Sequence, residues 1–237
     1  MALPKLNNAP KYELTIPSTQ QKVMYRPFLV KEEKSLMIAA ESGNQQNVLR
    51  TLVETIGNCV QTDISLNKLT SFDIEYMFLQ LRSKSVGESA HVNLKCDDCE
   101  TPNDVSINLE EISIKIPKVQ KNIKLNDEIS LDLDWPSFRD IIDAGMSEGE
   151  EATAEQAFAL IRSCMKAVNT EDERIMLNSA SREEIEEFVD SMSTAQFQKV
   201  RDFIEVIPKL SHTAGFKCKK CGFVNNVKIE GVANFLS

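Results

Sequence analysis

LKCDDCE at residues 94–100 and FKCKKCGF at residues 216–223 are the two stretches on which the reading of this chain turns. Each holds a C-x-x-C pair, Cys96 with Cys99 and Cys218 with Cys221. In a turn of that spacing both thiolates reach one ion while backbone N–H groups point at the sulfurs. Two such turns complete a tetrahedral four-cysteine site for Zn2+. Gly222, directly after the second pair, supplies the permissive backbone that such a turn often requires. The separation is unusual: 118 residues lie between Cys99 and Cys218, against about fifteen to twenty in a compact zinc ribbon. The expectation is a split ribbon with a helical domain inserted into it, binding one structural Zn2+ per chain.

Working outward, residues 91–95 and 104–109 look extended and read as the two arms of a hairpin with Cys96 and Cys99 at its tip. Extended residues flank the second pair in the same way. The first turn is acidic, with Asp97, Asp98 and Glu100, and the second is basic, with Lys217, Lys219 and Lys220. Their apposition on one ion would relieve repulsion within each. Two unrelated pairs of ordinary thiols are the bland alternative. A redox C-x-x-C needs its first thiolate at a helix N-terminus or beside positive charge; the first pair has acidic neighbours and the second a hairpin context. Cys59 and Cys164 read as small buried apolar residues in helices. His91 and His212, each upstream of a cysteine pair, read as strand or supporting positions, since a site already filled by four cysteines has no use for them as ligands.

The rest of the pattern is α+β: a mainly helical body with antiparallel hairpins. Residues 12–25 alternate around Pro17-Ser18-Thr19, giving two strands and a turn. A helix from Lys31 stops at Gly43, and a second, striped by Val48, Leu49, Leu52, Val53 and Ile56, ends at Gly57-Asn58. The helix over residues 71–83 has two apolar stripes, Ile74/Met77/Phe78/Leu81 and Phe72/Tyr76/Leu79, and so packs on both sides. An exposed second stripe would instead be a partner surface.

ISIKIP (112–117), NIKL (122–125) and EISLDLDW (128–135) indicate two or three further strands. A helix starts at Pro136 and closes near Gly145. Residues 146–153 form an acidic surface loop. Three helices follow, with Phe158, Ile161, Met165 and Val168 in one, Ile185, Phe188, Val189 and Met192 in the next, and Phe197, Val200, Ile204 and Ile207 in the last. Ser181 with Glu184 and Ser193 with Gln196 have capping-box spacing. Pro208 stops the bundle. There is no fixed-period repeat. The segments are an N-terminal β element (1–30), a helical segment (31–87), the first zinc hairpin (88–110), a β segment (111–135), a helical bundle (136–210), and the second zinc hairpin with the C-terminal tail (211–237).

Composition excludes several classes. Of 237 residues, 42% are hydrophobic, enough for a real core. No run of eighteen apolar residues and no signal-peptide pattern occurs, so neither a transmembrane segment nor standard secretion is expected. Six cysteines are too few for a disulfide scaffold. A formal charge of −9 repels phosphate backbones on average and disfavours nucleic acid as main partner. No phosphate-binding glycine loop, dinucleotide fingerprint or H-E-x-x-H occurs, which leaves no catalytic candidate and no small-molecule substrate. The chain reads as a non-enzyme.

RPFLVKEEKSLMIAAES (26–42), FDIEYMFLQLRSKSVGE (72–88), the two cysteine turns and the closing KIEGVANFLS (228–237), in that order, resemble the baseplate hub and hub-assembly proteins of T4-like contractile-tailed phages. The resemblance runs from about Tyr12 to the end. It implies a virus-encoded protein made in the host bacterial cytoplasm, located there during assembly or in the virion tail baseplate. Its partners would be other phage baseplate hub proteins, and its role structural or chaperone-like through protein–protein contact. The alternative is a zinc-ribbon nucleic-acid or transcription-associated protein, motivated by Lys217, Lys219, Lys220 and Lys228. Against it, Phe216 and Phe223 are the only aromatics nearby, thin material for a stacking surface.

Overall fold

The computed structural model describes residues 9–146 and 153–231, apart from the side chain of Gln45. It is α+β, and its contacts divide it into two units. The first comprises residues 9–66, 72–115 and 209–231, and the second residues 67–71, 116–146 and 153–208.

The first unit opens with the expected hairpin, β1 (Tyr12–Thr15) against β2 (Lys22–Tyr25). Its antiparallel register sets Leu14 opposite Val23 and buries both with Tyr25. The turn between them is anchored by Ser18, whose N–H and hydroxyl both donate to the buried carboxylate of Asp73, at 2.9 and 2.5 Å. Helix α1 (Val30–Glu41) is followed by Gly43 at φ 63°, a left-handed helix terminator. Near its start the buried Glu32 carboxylate accepts the Leu29 N–H at 2.8 Å and an Arg26 guanidinium N–H at 3.0 Å.

Helix α2 (Gln45–Cys59) runs through Gly57 and Asn58, where the sequence pattern places its end. Glycine in a helix costs roughly 0.5–1 kcal/mol, and tertiary bonds offset that here. The Arg26 N–H donates to Cys59 O at 3.0 Å, the Arg26 guanidinium donates to Asn58 O at 3.0 Å, and Val60 bridges to Tyr25. Helix α3 (Ser71–Ser85) is two residues longer than its pattern suggests, and both of its stripes are packed: Phe72, Ile74, Met77, Phe78, Leu79 and Leu81 are buried and Tyr76 is half-buried. A partner surface on the second stripe is thereby ruled out. The strands β3 (Ser89–Lys95) and β4 (Pro102–Asn108) form the hairpin around the first cysteine pair.

ISIKIP contributes no strand, and the sheet of the second unit begins with β5 (Asn122–Lys124) and β6 (Ser130–Leu133). Helix α4 (Phe138–Asp143) starts later than Pro136, because Ser137 is its N-cap, in a capping box with Asp140. The acidic loop lies, but for Met146 and Thr153, outside the described residues.

Helix α5 (Ala154–Cys164) stops short of Met165 and Val168, which lie in a strand, β7 (Met165–Asn169). Apolar spacing alone extends the helix. The long-range pairing with β6, Leu131 opposite Val168 and Leu133 opposite Met165, overrides it, and the Asp134 N–H takes the Cys164 carbonyl at 2.8 Å where the chain leaves the helix. A short β8 (Arg174–Met176), not evident in the sequence, completes the antiparallel order β5-β6-β7-β8. Helices α6 (Arg182–Asp190) and α7 (Thr194–Glu205) begin at the capping boxes of Ser181 and Ser193. They end before Met192 and Ile207. Trp135 stacks on Phe203 of α7 with centroids 4.6 Å apart. The chain then returns to the first unit as the hairpin of β9 (Ser211–Lys217) and β10 (Val224–Glu230).

Candidate metal centre

The two cysteine hairpins are copies of one design. Each has seven-residue arms around a six-residue turn, and every residue of the second stands 122 positions after its counterpart: Ser211 for Ser89, Lys217 for Lys95, Val224 for Pro102, Glu230 for Asn108. The cross-strand registers correspond pair for pair. So do the turn bonds. Cys96 N–H donates to Thr101 O at 3.0 Å as Cys218 N–H does to Phe223 O at 2.8 Å. Glu100 N–H donates to Cys96 O at 2.9 Å as Gly222 N–H does to Cys218 O at 3.0 Å. Among the described residues these two hairpins thus repeat one design, and hydrophobic patterning does not reveal it.

The two turns bring all four cysteines together. The Sγ atoms of Cys96, Cys99, Cys218 and Cys221 all lie within 4.8 Å of one another. Two of the approaches cross between turns, Cys96 to Cys221 and Cys99 to Cys218, each at 3.6 Å. Tetrahedral Zn–S bonds of about 2.3 Å put sulfurs about 3.8 Å apart, so the donor set, its number and its spacing fit a four-thiolate ion. Cys96 and Cys218 are buried, Cys99 is half-buried and Cys221 is exposed.

Two asparagines link the turns. Asn103 of β4 accepts the N–H of Lys219 at 2.9 Å, and its amide nitrogen lies 3.8 Å from Cys218 Sγ. Asn225 of β10 does the same in reverse, accepting the N–H of Asp97 at 2.8 Å with its amide nitrogen 3.6 Å from Cys96 Sγ. These amides join the acidic turn to the basic one. Among the described residues no ion pair connects the acidic side chains of the first turn to the lysines of the second.

The sulfurs are electrostatically unequal. The N–H groups of Cys221 and Lys220 are aimed at Cys218 and bring its thiol down to about 6. The Thr101 hydroxyl, 3.2 Å from Cys99 Sγ, lowers that thiol as well. The Phe223 N–H acts to lower Cys221, but desolvation and the surrounding Cys99, Cys218 and Cys96 sulfurs outweigh it and push the thiol up to about 12.

The model of the T4 bacteriophage base plate protein family matches residues 9–237. The chain belongs to that family. No curated protein and no solved structure matches it. Among the described residues of this family member, no helix is long and apolar enough to cross a membrane.

The remaining cysteines and the histidines lie apart from the cluster. Cys59 and Cys164 are fully buried, and burial pushes their thiols up to about 11 and about 12. His91 and His212 sit on strands, as expected, but at different places: His91 pairs with Ser106, while His212 pairs with Ile229 and is the counterpart of Ala90. The residues that sequence reasoning missed in this base plate family member are Asn103 and Asn225. Their signal was present, because both pairs extend to C-x-x-C-x-x-x-N.

Proposed function

We propose that this chain is a non-enzymatic structural or assembly protein of the phage tail baseplate hub, acting through protein–protein contacts and carrying one structural Zn2+ on Cys96, Cys99, Cys218 and Cys221. The observation that supports it most is the closed donor set. Four sulfurs within 4.8 Å of one another saturate a tetrahedral ion and leave no open position for water or substrate. Such an ion supplies folding free energy and no chemistry. It would fasten the two hairpins, between which the sequence inserts the whole β5–β8 and α4–α7 segment.

The family accounts for the partner class: a base plate protein works against other baseplate proteins. The nucleic-acid reading has less support. The lysine-rich turn is held beside the turn of Asp97, Asp98 and Glu100, and Lys228 is ion-paired with Glu230 at 2.5 Å, so acidic groups interrupt the lysines around the second cysteine pair. Metal analysis of the purified protein together with co-purification of tail proteins from infected cells tests the proposal. One zinc per chain and a tail-protein partner are expected. Two ions per chain or none, or salt-dependent retention of DNA or RNA in place of tail proteins, would overturn it.

A further inference from the structure

We infer that Asn103 and Asn225 are crossed positioning residues of the metal centre, each hairpin supplying the amide that orients and hydrogen-bonds the leading cysteine of the other. The inference rests on the metal reading above and adds to it two residues that are not ligands.

Each amide makes three of the four hydrogen-bonding contacts open to it. The Oδ1 of Asn103 accepts from Lys219 N–H across the interface between the turns, which fixes which end of the amide is oxygen. Its Nδ2 then faces two acceptors, the carbonyl of Thr101 in its own turn at 2.7 Å and Cys218 Sγ in the opposite turn at 3.8 Å. Asn225 repeats the arrangement with Asp97 N–H, the carbonyl of Phe223 at 3.1 Å and Cys96 Sγ at 3.6 Å. Both side chains are buried, 4% and 1% exposed, where a polar group without partners is costly. Two residues at equivalent positions of two duplicated hairpins, making the same three contacts, form a built device.

The chemistry explains why asparagine is used. Four thiolates on Zn2+ carry a net charge of −2, and N–H groups donated to sulfur spread that charge and fix the direction of the lone pairs. Aspartate has the same shape and keeps the acceptor for the backbone N–H, but it cannot donate to sulfur and sets a carboxylate against a thiolate. Glutamine, one methylene longer, would carry the amide away from the positions that reach the backbone N–H, the carbonyl and the sulfur together. The crossing has a further consequence: loss of Asn225 loosens Cys96, in the other hairpin, and loss of Asn103 loosens Cys218.

The test uses the zinc-loaded full-length protein, wild type beside Asn103→Asp and Asn225→Asp. Zinc affinity is read by chelator competition, and alkylation of each cysteine is followed by peptide mass spectrometry. Outer-shell partners of this kind are worth roughly 10–100-fold in metal affinity, and that loss is expected in each variant. Alkylation should accelerate most at Cys96 in Asn225→Asp and most at Cys218 in Asn103→Asp, a crossed pattern that general loosening of one hairpin does not produce. Should a carboxylate prevent folding, Asn103→Ala and Asn225→Ala carry the same expectation. Wild-type affinity in the variants, or acceleration confined to the mutated hairpin's own cysteines, overturns the inference while leaving the metal reading intact. A wild-type protein that binds no zinc sinks both.

Discussion

Glu100 and Gly222 occupy the same backbone position in the two cysteine turns, and both have positive φ, 55° and 78°. The position is left-handed because its N–H must turn back to the carbonyl of the leading cysteine, Cys96 or Cys218. Only the second turn uses the residue suited to it. A Cβ on Gly222 would meet Lys217 Cε at 3.7 Å, an ordinary contact, so the cost of a side chain there is conformational. Gly222→Ala should therefore lower stability by about 1–2 kcal/mol. Glu100→Gly should raise it, by less than about 1 kcal/mol, because relief of strain is partly offset by the freer unfolded chain. Denaturant unfolding of the zinc-loaded proteins measures both, and changes of the same sign would contradict the equivalence of the two turns.

The proposed ion ties together residues that are 118 positions apart between Cys99 and Cys218. A ligand that binds only the folded chain adds its binding free energy to stability, about 4 kcal/mol at a thousandfold excess over Kd. It also closes a long loop whose entropy would otherwise oppose the pairing of the turns. Cys99→Ser and Cys221→Ser are each expected to abolish stoichiometric zinc and to lower the melting temperature sharply. A strong chelator should do the same to the wild type, reversibly on adding zinc back. An unchanged melting temperature after zinc is lost would show the metal to be incidental to the fold.

Leu79 has no exposed surface, and Phe72, about two turns earlier on the same stripe of α3, has none either. Leu79→Ala should cost about 2–5 kcal/mol, the range for a leucine truncated in a core. Met37→Ser on α1, at an exposed position, should change stability by no more than about 0.5 kcal/mol. Denaturation midpoints decide the matter. If Leu79→Ala unfolded with wild-type stability, the doubly buried helix would be wrong.

What was legible in the sequence was local or strongly periodic. The C-x-x-C turns announce a metal because both ligands lie within one turn, and the boxes at Ser181 and Ser193 announce helix starts because cap and partner are three residues apart. The failures lie where a distant segment decides. Met165 and Val168 continue the apolar spacing of α5, yet pairing with Leu133 and Leu131 of β6 makes them a strand. Gly57 looks like a stop until Arg26 binds the carbonyls beyond it. Asn103 and Asn225 look like ordinary strand residues because each acts on the turn of the other hairpin, more than a hundred residues away. The repeated C-x-x-C-x-x-x-N was visible, but its meaning depends on the duplication of the hairpins.

The last prediction concerns alkaline pH and the two cysteines outside the cluster. Cys59 and Cys164 are fully buried, and burial pushes their thiols from 9.0 up to about 11 and about 12. In the unfolded chain they would ionise at the ordinary thiol value. Below that value both states hold the proton, and the two groups contribute no pH dependence. Above it the unfolded state loses its protons first, so folding becomes less favourable as pH rises toward the folded values, by at most about 1.4 kcal/mol per pH unit for each thiol. Tyr25 and Tyr76, raised chiefly by burial, act in the same direction from a higher starting pH. The contribution of these four groups should therefore be level near neutral pH and become destabilising above about pH 9. The double variant Cys59→Ala, Cys164→Ala should start lower, because it loses buried sulfur, but decline less steeply than the wild type above about pH 9. Denaturant midpoints measured from neutral pH to about pH 10 compare the two curves. Parallel decline in wild type and variant would mean that these thiols ionise in the folded protein as readily as in the unfolded one.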